Sequence, residues 1–389
     1  MKIRDKILPV LKPHGDDDDV RAIKEVIDSG WWGKGPKVEL LEKKFADLVG
    51  SKYAVAVTSN TAGLDLYLKA KNINSGNIIS PTVSFITTAV VPIWNNCKTV
   101  LCDIEQETRN ICPNDVKKNI DNNTKAVIVI NYAGIPSDIK SIRKFFDGPI
   151  IEDCALSCYF PGAGKQGDVA IWSFQAVKTI SSGDGGIITT DSKEIYDKLK
   201  LLSNFGIPQD TYQRAKGSTD KDSLKPGYVW DFTVSSIGYK AYMNDITASL
   251  LLSQLDKLDG VLKIRMRIQK RYNEELPVEI IRPHWSDTCQ FYSASVKGNL
   301  RNKLMEFLSS KKIHTTVHFK PLHLHPIFKQ KRSYPIADEQ WHNFISLPCH
   351  AGMKNEDIDY VVYWATEFFK KNKSNFDGMN PHGAVKFGP

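Results

Sequence analysis

The sequence predicts an α/β protein built on a large, mostly parallel β-sheet, followed by a smaller C-terminal α+β unit. Three observations point there. Short Val/Ile-rich runs alternate with helical patterns through the first half, as βα units covered on both faces require. A long stretch with helical apolar period, 246–273, then leads into a region where a strand-like run is flanked by helices. Finally, 389 residues exceed what one small core organises. We assign residues 1–260 to the large unit with its N-terminal arm, 261–372 to the small one, and 373–389 to a tail expected to lack order.

The chain opens on MKIRDKILPVLKPHGDDDD, which lacks the apolar run of a signal peptide. No stretch reaches the ~18–20 apolar residues of a membrane span. The acids Asp16–Asp19 precede the helical VRAIKEVID. Acids at a helix start answer its dipole, a simpler reading than a metal site. Val38, Leu41, Phe45 and Leu48 recur at helical spacing and predict a helix packed on the sheet.

Strand-like AVAV (54–57) leads into TAGLDLYLKA, NIIS (77–80) into FITTAVVPIWN, and TVLCDI (99–104) into PNDVKKNI. AVIVINY (126–132) and helical SDIKSIRKFF follow, then PIIED (149–153), DVAIWSF (168–174) and GIITTD (186–191). Residues 207–227 are polar and rich in Gly, Pro and Asp, and read as a long surface loop of the lid or binding kind. Farther on, FYSASVKG reads as a strand and NLRNKLMEFLSSKKI as a helix. EDIDYVVYWATEFFKK reads as an amphipathic helix, acids first and lysines last.

Composition narrows the function classes. Hydrophobic content of 41% and charged content of 25% are those of an ordinary globular protein. The 52 Lys+Arg exceed the 44 Asp+Glu by enough to suit an acidic substrate such as a phosphorylated sugar. They are scattered, which argues against nucleic-acid binding. Seven cysteines, an odd number with no CxxC pair, argue against a disulfide framework or zinc ribbon and for reduced, mostly buried thiols in a cytoplasmic protein. His314, His318, His323 and His325 cluster, but strand alternation in VHFKPLHLHP sets them on mixed faces, which disfavours a metal site. Trp31 and Trp32 are either core or a base-stacking surface.

Three segments carry chemistry. Ser59-Asn60-Thr61 stands where a strand meets a helix, and serves as a helix cap or as an anion site at the helix N-terminus. Asp153 ends the apolar PIIED run, where a carboxylate is poorly placed for water and well placed for a cofactor's pyridine nitrogen, or else caps the next turn. Glu152 points to the other face and reads as structural. Lys178 follows a strand-end Ser173 within SFQAVKTISSGDGG, where small residues allow a flat group to approach the backbone. A desolvated lysine there is a nucleophile toward an aldehyde; on this segment alone it reads as an ordinary surface lysine. Together the three segments supply a phosphate site, a pyridinium partner and a Schiff-base lysine, the parts of a pyridoxal 5′-phosphate (PLP) site.

The segments WWGKGPKVELLEKKFADLVGSKYAVAVTSNTAGL, PTVSFITTAVVP, IIEDCALS, GDVAIWSFQAVKTISSGDGGIITT, GYKAYMNDITASLLLSQLDKL, VHFKPLHLHPIF and SLPCHAGMKNEDID carry a resemblance. The chain resembles the DegT/DnrJ/EryC1/StrS family of PLP-dependent nucleotide-sugar aminotransferases from about residue 8 to residue 372. The resemblance implies the PLP-dependent fold type I, Lys178 as the Schiff-base lysine and Asp153 at the pyridine nitrogen. It implies phosphate contacts from Ser59, Ser173 and the backbone of Asn60 and Thr61, with Phe85 stacked on the ring. Lys240 or Asn244 of a partner subunit would also reach the phosphate, and Trp32, Lys34, His318 and His323 would meet the substrate.

The resemblance further implies a homodimer and a two-step exchange through pyridoxamine phosphate. Glutamate is the expected donor and a nucleotide-linked keto-sugar the acceptor, in amino-sugar biosynthesis for a surface polysaccharide. The HAGMKNEDID segment is similar to GDP-perosamine synthases, which favours a GDP- or dTDP-linked 4-keto-6-deoxyhexose. The chain departs from the family at Asn60, where Gly is usual, and at Leu156, where Gln or His is frequent. Rival readings are a PLP-dependent sugar dehydratase, a cyclitol aminotransferase and a non-catalytic PLP-binding regulator.

Overall fold

Seven Val/Ile-rich runs are buried on both faces and form one sheet: β1 (Tyr53–Val57), β2 (Asn77–Pro81), β3 (Lys98–Cys102), β4 (Thr124–Ile130), β5 (Ile150–Asp153), β6 (Val169–Ser173) and β7 (Gly186–Thr190). The computed structural model describes residues 1–157, 163–215, 232–283, 286 and 290–372. Across the sheet the order is β1-β7-β6-β5-β4-β2-β3. β7 runs antiparallel to β1 and β6, and the other adjacent pairs are parallel. The carboxyl ends of β1, β2, β5 and β6 therefore share one edge, and the β6–β7 connection returns across it. In an open α/β sheet that edge is where ligands bind.

Local chemistry accounts for the flanking helices. Asp16 caps the Asp17–Ser29 helix, accepting from the N–H groups of Asp18 and Asp19 in a capping box completed by the Asp19 side chain. Asp16–Asp19 thus works as a helix start. In the Pro36–Val49 helix Val38, Leu41 and Phe45 are fully buried, but the fourth core residue is Val49, and Leu48 is 38% exposed. The stripe steps by four rather than three there, which keeps it under the sheet. The expected helix over 246–273 is two helices, Asp245–Asp256 and Leu258–Glu275. They part at Lys257, whose ammonium lies 2.5 Å from Asp16 and 2.8 Å from Asp19.

A second, antiparallel sheet in the order β10-β9-β8 comprises β8 (Ile280–Ile281), β9 (Tyr292–Val296) and β10 (Phe344–Leu347). With the helices Arg301–Ser310 and Asn355–Lys371 it encloses its own core, including Ile268, Tyr292, Leu304, Ile345, Val361 and Phe368. Leu8 of the N-terminal arm pairs with Ile313 and belongs to that core. The arm thus reaches the C-terminal layer. VHFKPLHLHP forms a loop with 3-10 turns at Leu322–Leu324 and Pro326–Phe328 rather than a strand. Pro321 and Pro326 withhold the donors a ladder needs.

Of the expected 207–227 loop, Thr211–Ala215 is a short helix, and residues 216–231 lie outside the described residues. So do Cys158, Cys289 and the 373–389 tail. Cys97, Cys102, Cys112, Cys154 and Cys349 are free thiols. Burial pushes the Cys102 thiol up to about 12, so it is inert at neutral pH. Among the described residues no helix is long and apolar enough to cross a membrane.

Two glycines let the Asn60–Ala70 helix lie directly on the sheet. A Cβ on Gly63 would stand 2.8 Å from the Ile171 side chain, and one on Gly186 would stand 2.5 Å from the Ser59 carbonyl carbon and 2.6 Å from the Asn60 nitrogen. Gly186→Ala should therefore destabilise the protein by about 1–3 kcal/mol through overpacking. Gly260→Ala, in a helix with nothing within 4 Å of the new Cβ, should stabilise it by about 1 kcal/mol. Urea midpoints of the two variants, moving in opposite directions from wild type, check this.

Candidate active site

At the shared strand edge lies a cavity of about 460 Å³, lined by Ser59, Asn60, Thr61, Phe85, Asp153, Leu156, Ser173, Lys178 and His318 among others. Nine of the residues singled out from sequence, brought from five separate chain segments, thus meet in one place. All but His318 come from the ends of the large sheet's strands or the turns just after them. Ser59 follows β1, Phe85 follows β2, Asp153 ends β5, Ser173 ends β6, and Lys178 lies in the β6–β7 connection.

Ser59 is the cap of the Asn60–Ala70 helix, its hydroxyl accepting from the Ala62 N–H at 3.1 Å. The cap reading holds, and it is compatible with an anion site. The first N–H groups of a helix have no partner within it, and Asn60 and Thr61 stand there. The Thr61 hydroxyl meets that of Thr87 at 3.1 Å. Ser173 Oγ accepts from the Gln175 N–H at 3.4 Å.

Asp153 is 4% exposed. Its Oδ1 accepts from Asn60 Nδ2 at 3.0 Å and from the Ala155 N–H at 2.9 Å. Burial raises its pKa; the Ala155 N–H, the charge of Lys178 and the Asn60 amide pull it back. Glu152 faces the opposite way, accepting from the N–H groups of Gln166 and Gly167 at 2.8 and 2.6 Å, and so holds the loop before β6. Leu156 is buried and adds apolar surface to the cavity wall. Phe85 is 57% exposed, an unusual state for phenylalanine, with its ring 6.0 Å from that of Phe319.

His318 enters from the C-terminal layer. Its ring stacks on Phe291 at 4.2 Å, Nδ1 meets Ser346 Oγ at 2.8 Å, and the Tyr132 hydroxyl donates to its carbonyl. Burial, with a smaller contribution from the Lys178 charge, lowers its pKa to about 3. The imidazole is therefore neutral at physiological pH.

Other expected site residues lie elsewhere in this chain. His323 is clamped between Thr82 Oγ1 at 2.6 Å and Asp338 at 2.8 Å and stacks on Tyr334 at 4.1 Å, away from the cavity. Lys34 is buried in an ion pair with Asp210 at 3.1 Å, which ties the 207–215 segment to the turn before the Pro36–Val49 helix. Trp32 is exposed, its indole donating to the Ile27 carbonyl at 3.3 Å. Lys240 is exposed beside Asn204, and Asn244 caps the Asp245–Asp256 helix through the Thr247 N–H at 2.9 Å.

The cavity also takes Thr87, Gln175, Asp184, Gln290 and Phe291, which sequence reading did not single out. Asp184 stands inside the GDGG turn and Thr87 two residues after Phe85, so proximity to the motifs was a usable signal. Gln290 and Phe291, just before β9, arrive by a long-range contact that no local pattern announces.

The residues fit PLP. A buried carboxylate flanked by amide donors suits a pyridinium, an exposed aromatic face suits a flat ring, and a helix N-terminus with hydroxyls suits a phosphate. Fold and cavity together define a PLP-dependent enzyme of fold type I.

Residues 13–364 match the DegT/DnrJ/EryC1/StrS aminotransferase family, and the chain belongs to it. The spore coat polysaccharide biosynthesis protein SpsC of Bacillus subtilis is 33% identical over 384 residues, covering 92% of this chain and 96% of that protein. Spr1654 of Streptococcus pneumoniae, solved in its PMP form, superposes with a TM-score of 0.84 at 25% identity, covering 93% of this chain and 99% of its own. DesI, solved in the presence of its TDP-sugar product, superposes with a TM-score of 0.81 at 25% identity, covering 96% and 97%. The chain is a PLP-dependent aminotransferase of a family whose solved members include sugar aminotransferases.

An unfolded chain protonates histidine near 6.5, whereas folded His318 stays neutral to about 3. The stability contributed by neutral His318 is therefore complete above pH 6.5 and is lost progressively as pH falls toward 3. In the His318→Gln variant the urea midpoint should fall less on acidification below pH 6.5 than in wild type. An NMR titration placing the His318 midpoint near 6.5 would contradict this.

Proposed function

We propose that this enzyme moves an amino group from glutamate to a nucleotide-linked keto-sugar, an NDP-4-keto-6-deoxyhexose, in the making of a surface glycan. The observation that carries the proposal is the meeting of Lys178 and buried Asp153 with the Asn60–Ala70 helix start in one cavity. Family membership and the TDP-sugar that accompanies DesI support the class of acceptor.

When bound, PLP supplies an electrophilic carbon for the amine and an electron sink for the charge that develops there. Asp153 holds the pyridine nitrogen protonated. The helix start with Ser59, Thr61 and Ser173 holds the phosphate, and Phe85 covers one face of the ring. Lys178 Nζ would anchor the cofactor, and as a free amine it would hold and deliver the proton at the reacting carbon. Neutral His318, fixed through Nδ1 by Ser346, offers its other ring nitrogen to the sugar. The cavity is walled by Leu156, Phe291 and Phe319, which limits water at the reacting carbon.

Charge supports a homodimer. Among the described residues lining the cavity, Lys178 is the one cationic side chain, against Asp153 and Asp184. A cofactor phosphate, a dicarboxylate donor and a nucleotide diphosphate all need cations and N–H donors, so a second copy would supply them, Lys240 as a cation and Asn244 as an amide donor being candidates. The surface offers a place for it. Ile93 and Trp94 are exposed at one helix end, and Tyr239, in a run where Phe232, Val234 and Ile237 are also exposed, is exposed too. Lys69 links Tyr239 to the end of that helix, 5.1 Å from the Tyr239 ring and 3.1 Å from Asn95. The free thiols support a cytoplasmic setting.

Purified protein supplied with PLP should show a visible absorbance band that glutamate bleaches. It should then aminate one of a panel of NDP-keto-sugars, read by mass spectrometry. Lys178→Ala should lose turnover by about 10⁴-fold or more while still binding PLP. Turnover by Lys178→Ala near the wild-type rate, or a product lacking the added nitrogen, would refute the proposal.

A further inference from the structure

Asn60 stands at the first position of the Asn60–Ala70 helix, where a side chain commonly turns to solvent or to a bound anion. Here it is 7% exposed and turns back into the sheet. Its Nδ2 donates to Asp153 Oδ1 at 3.0 Å and to the Ile171 carbonyl at 2.9 Å. Both neighbours are acceptors, so the amide orientation is fixed: the NH₂ group must face them. Both hydrogens are used, and none remains for a phosphate.

Among the described residues, the hydrogen bonds to the Asp153 carboxylate end on Oδ1, from Asn60 and from Ala155. Oδ2 is the oxygen left for the cavity. The helix bearing Asn60 has no slack, since Gly63 and Gly186 admit it only because they lack a Cβ. The Ile171 carbonyl belongs to β6 and Asp153 ends β5, so Asn60 pins its donor between adjacent strands.

We propose that Asn60 is a positioning residue that fixes the rotamer of Asp153 and holds it ionised, so that Oδ2 is presented as an anion to the pyridine nitrogen. The inference rests on the reading of the cavity as a PLP site. Its physics is that of any buried carboxylate: without donors the neutral acid wins, and each hydrogen bond to the anion restores the charged form. A neutral Asp153 would leave the pyridine nitrogen without a counter-ion.

The test titrates apo-protein with PLP across the acidic and neutral range, following the visible band and intrinsic fluorescence. Wild type is compared with Asn60→Leu, which keeps the branched shape without a donor, with Asn60→Ala, which survives if the branched chain does not fit, and with each of these in an Asp153→Asn background. In the single variants PLP affinity should fall about tenfold or more. The pH at which affinity is lost on acidification should move upward by about one to two pH units. In the Asp153→Asn background the Asn60 substitutions should change affinity by less than about threefold, because the anion that Asn60 stabilises is gone. An unmoved acid limb, or an equal loss in both backgrounds, overturns the role of Asn60 and leaves the PLP site standing. No PLP band in wild type overturns both.

Discussion

A carboxylate at the end of a buried strand must be compensated or it takes up a proton, and much of this site is arranged around that constraint. Asp153 ends β5 between two strands that are themselves buried on both faces. Water is excluded, so compensation comes from the Ala155 N–H, the Asn60 amide and the charge of Lys178. The rest follows from holding those groups still. The Asn60–Ala70 helix must lie hard on the sheet, which Gly63 and Gly186 permit, and the same contact sets its N-terminus at the cavity edge. One packing contact thus sets both the helix N-terminus at the cavity and the carboxylate's amide donor.

Much of the fold was legible because its strands are buried on both faces. Near-continuous Val/Ile runs such as AVIVI and PIIED leave little alternative to a central parallel strand. What failed was decided by geometry beyond a local window. Leu48 and Val49 are equally apolar, and only the helix's angle on the sheet selects Val49. The break at Lys257 answers to Asp16 and Asp19, more than 230 residues away. VHFKPLHLHP alternates like a strand, but its prolines dictate otherwise.

The site was legible unevenly for similar reasons. Ser59, Asp153 and Lys178 stand at strand ends, so knowing the strands places them on one edge. None of the three segments carried the assignment alone; their order along one sheet did. Gln290 and Phe291 lie just before the smaller sheet's β9 and are tied to the cavity only by tertiary packing. Lys34 and His323 look like ligand residues in sequence, yet each is occupied by a partner from a distant segment, Asp210 and Asp338. Asn60 shows the converse: a departure from the usual glycine acquires a purpose once its amide is seen on Asp153.

The central claim is that Lys178 is the residue that holds the cofactor. Borohydride reduction of the PLP-loaded protein, followed by peptide mass mapping, tests it directly. The account predicts the added pyridoxyl phosphate mass on the peptide containing Lys178 and its loss in a digest of Lys178→Ala. The mass on a different lysine, or on none while the visible band is present, would contradict it.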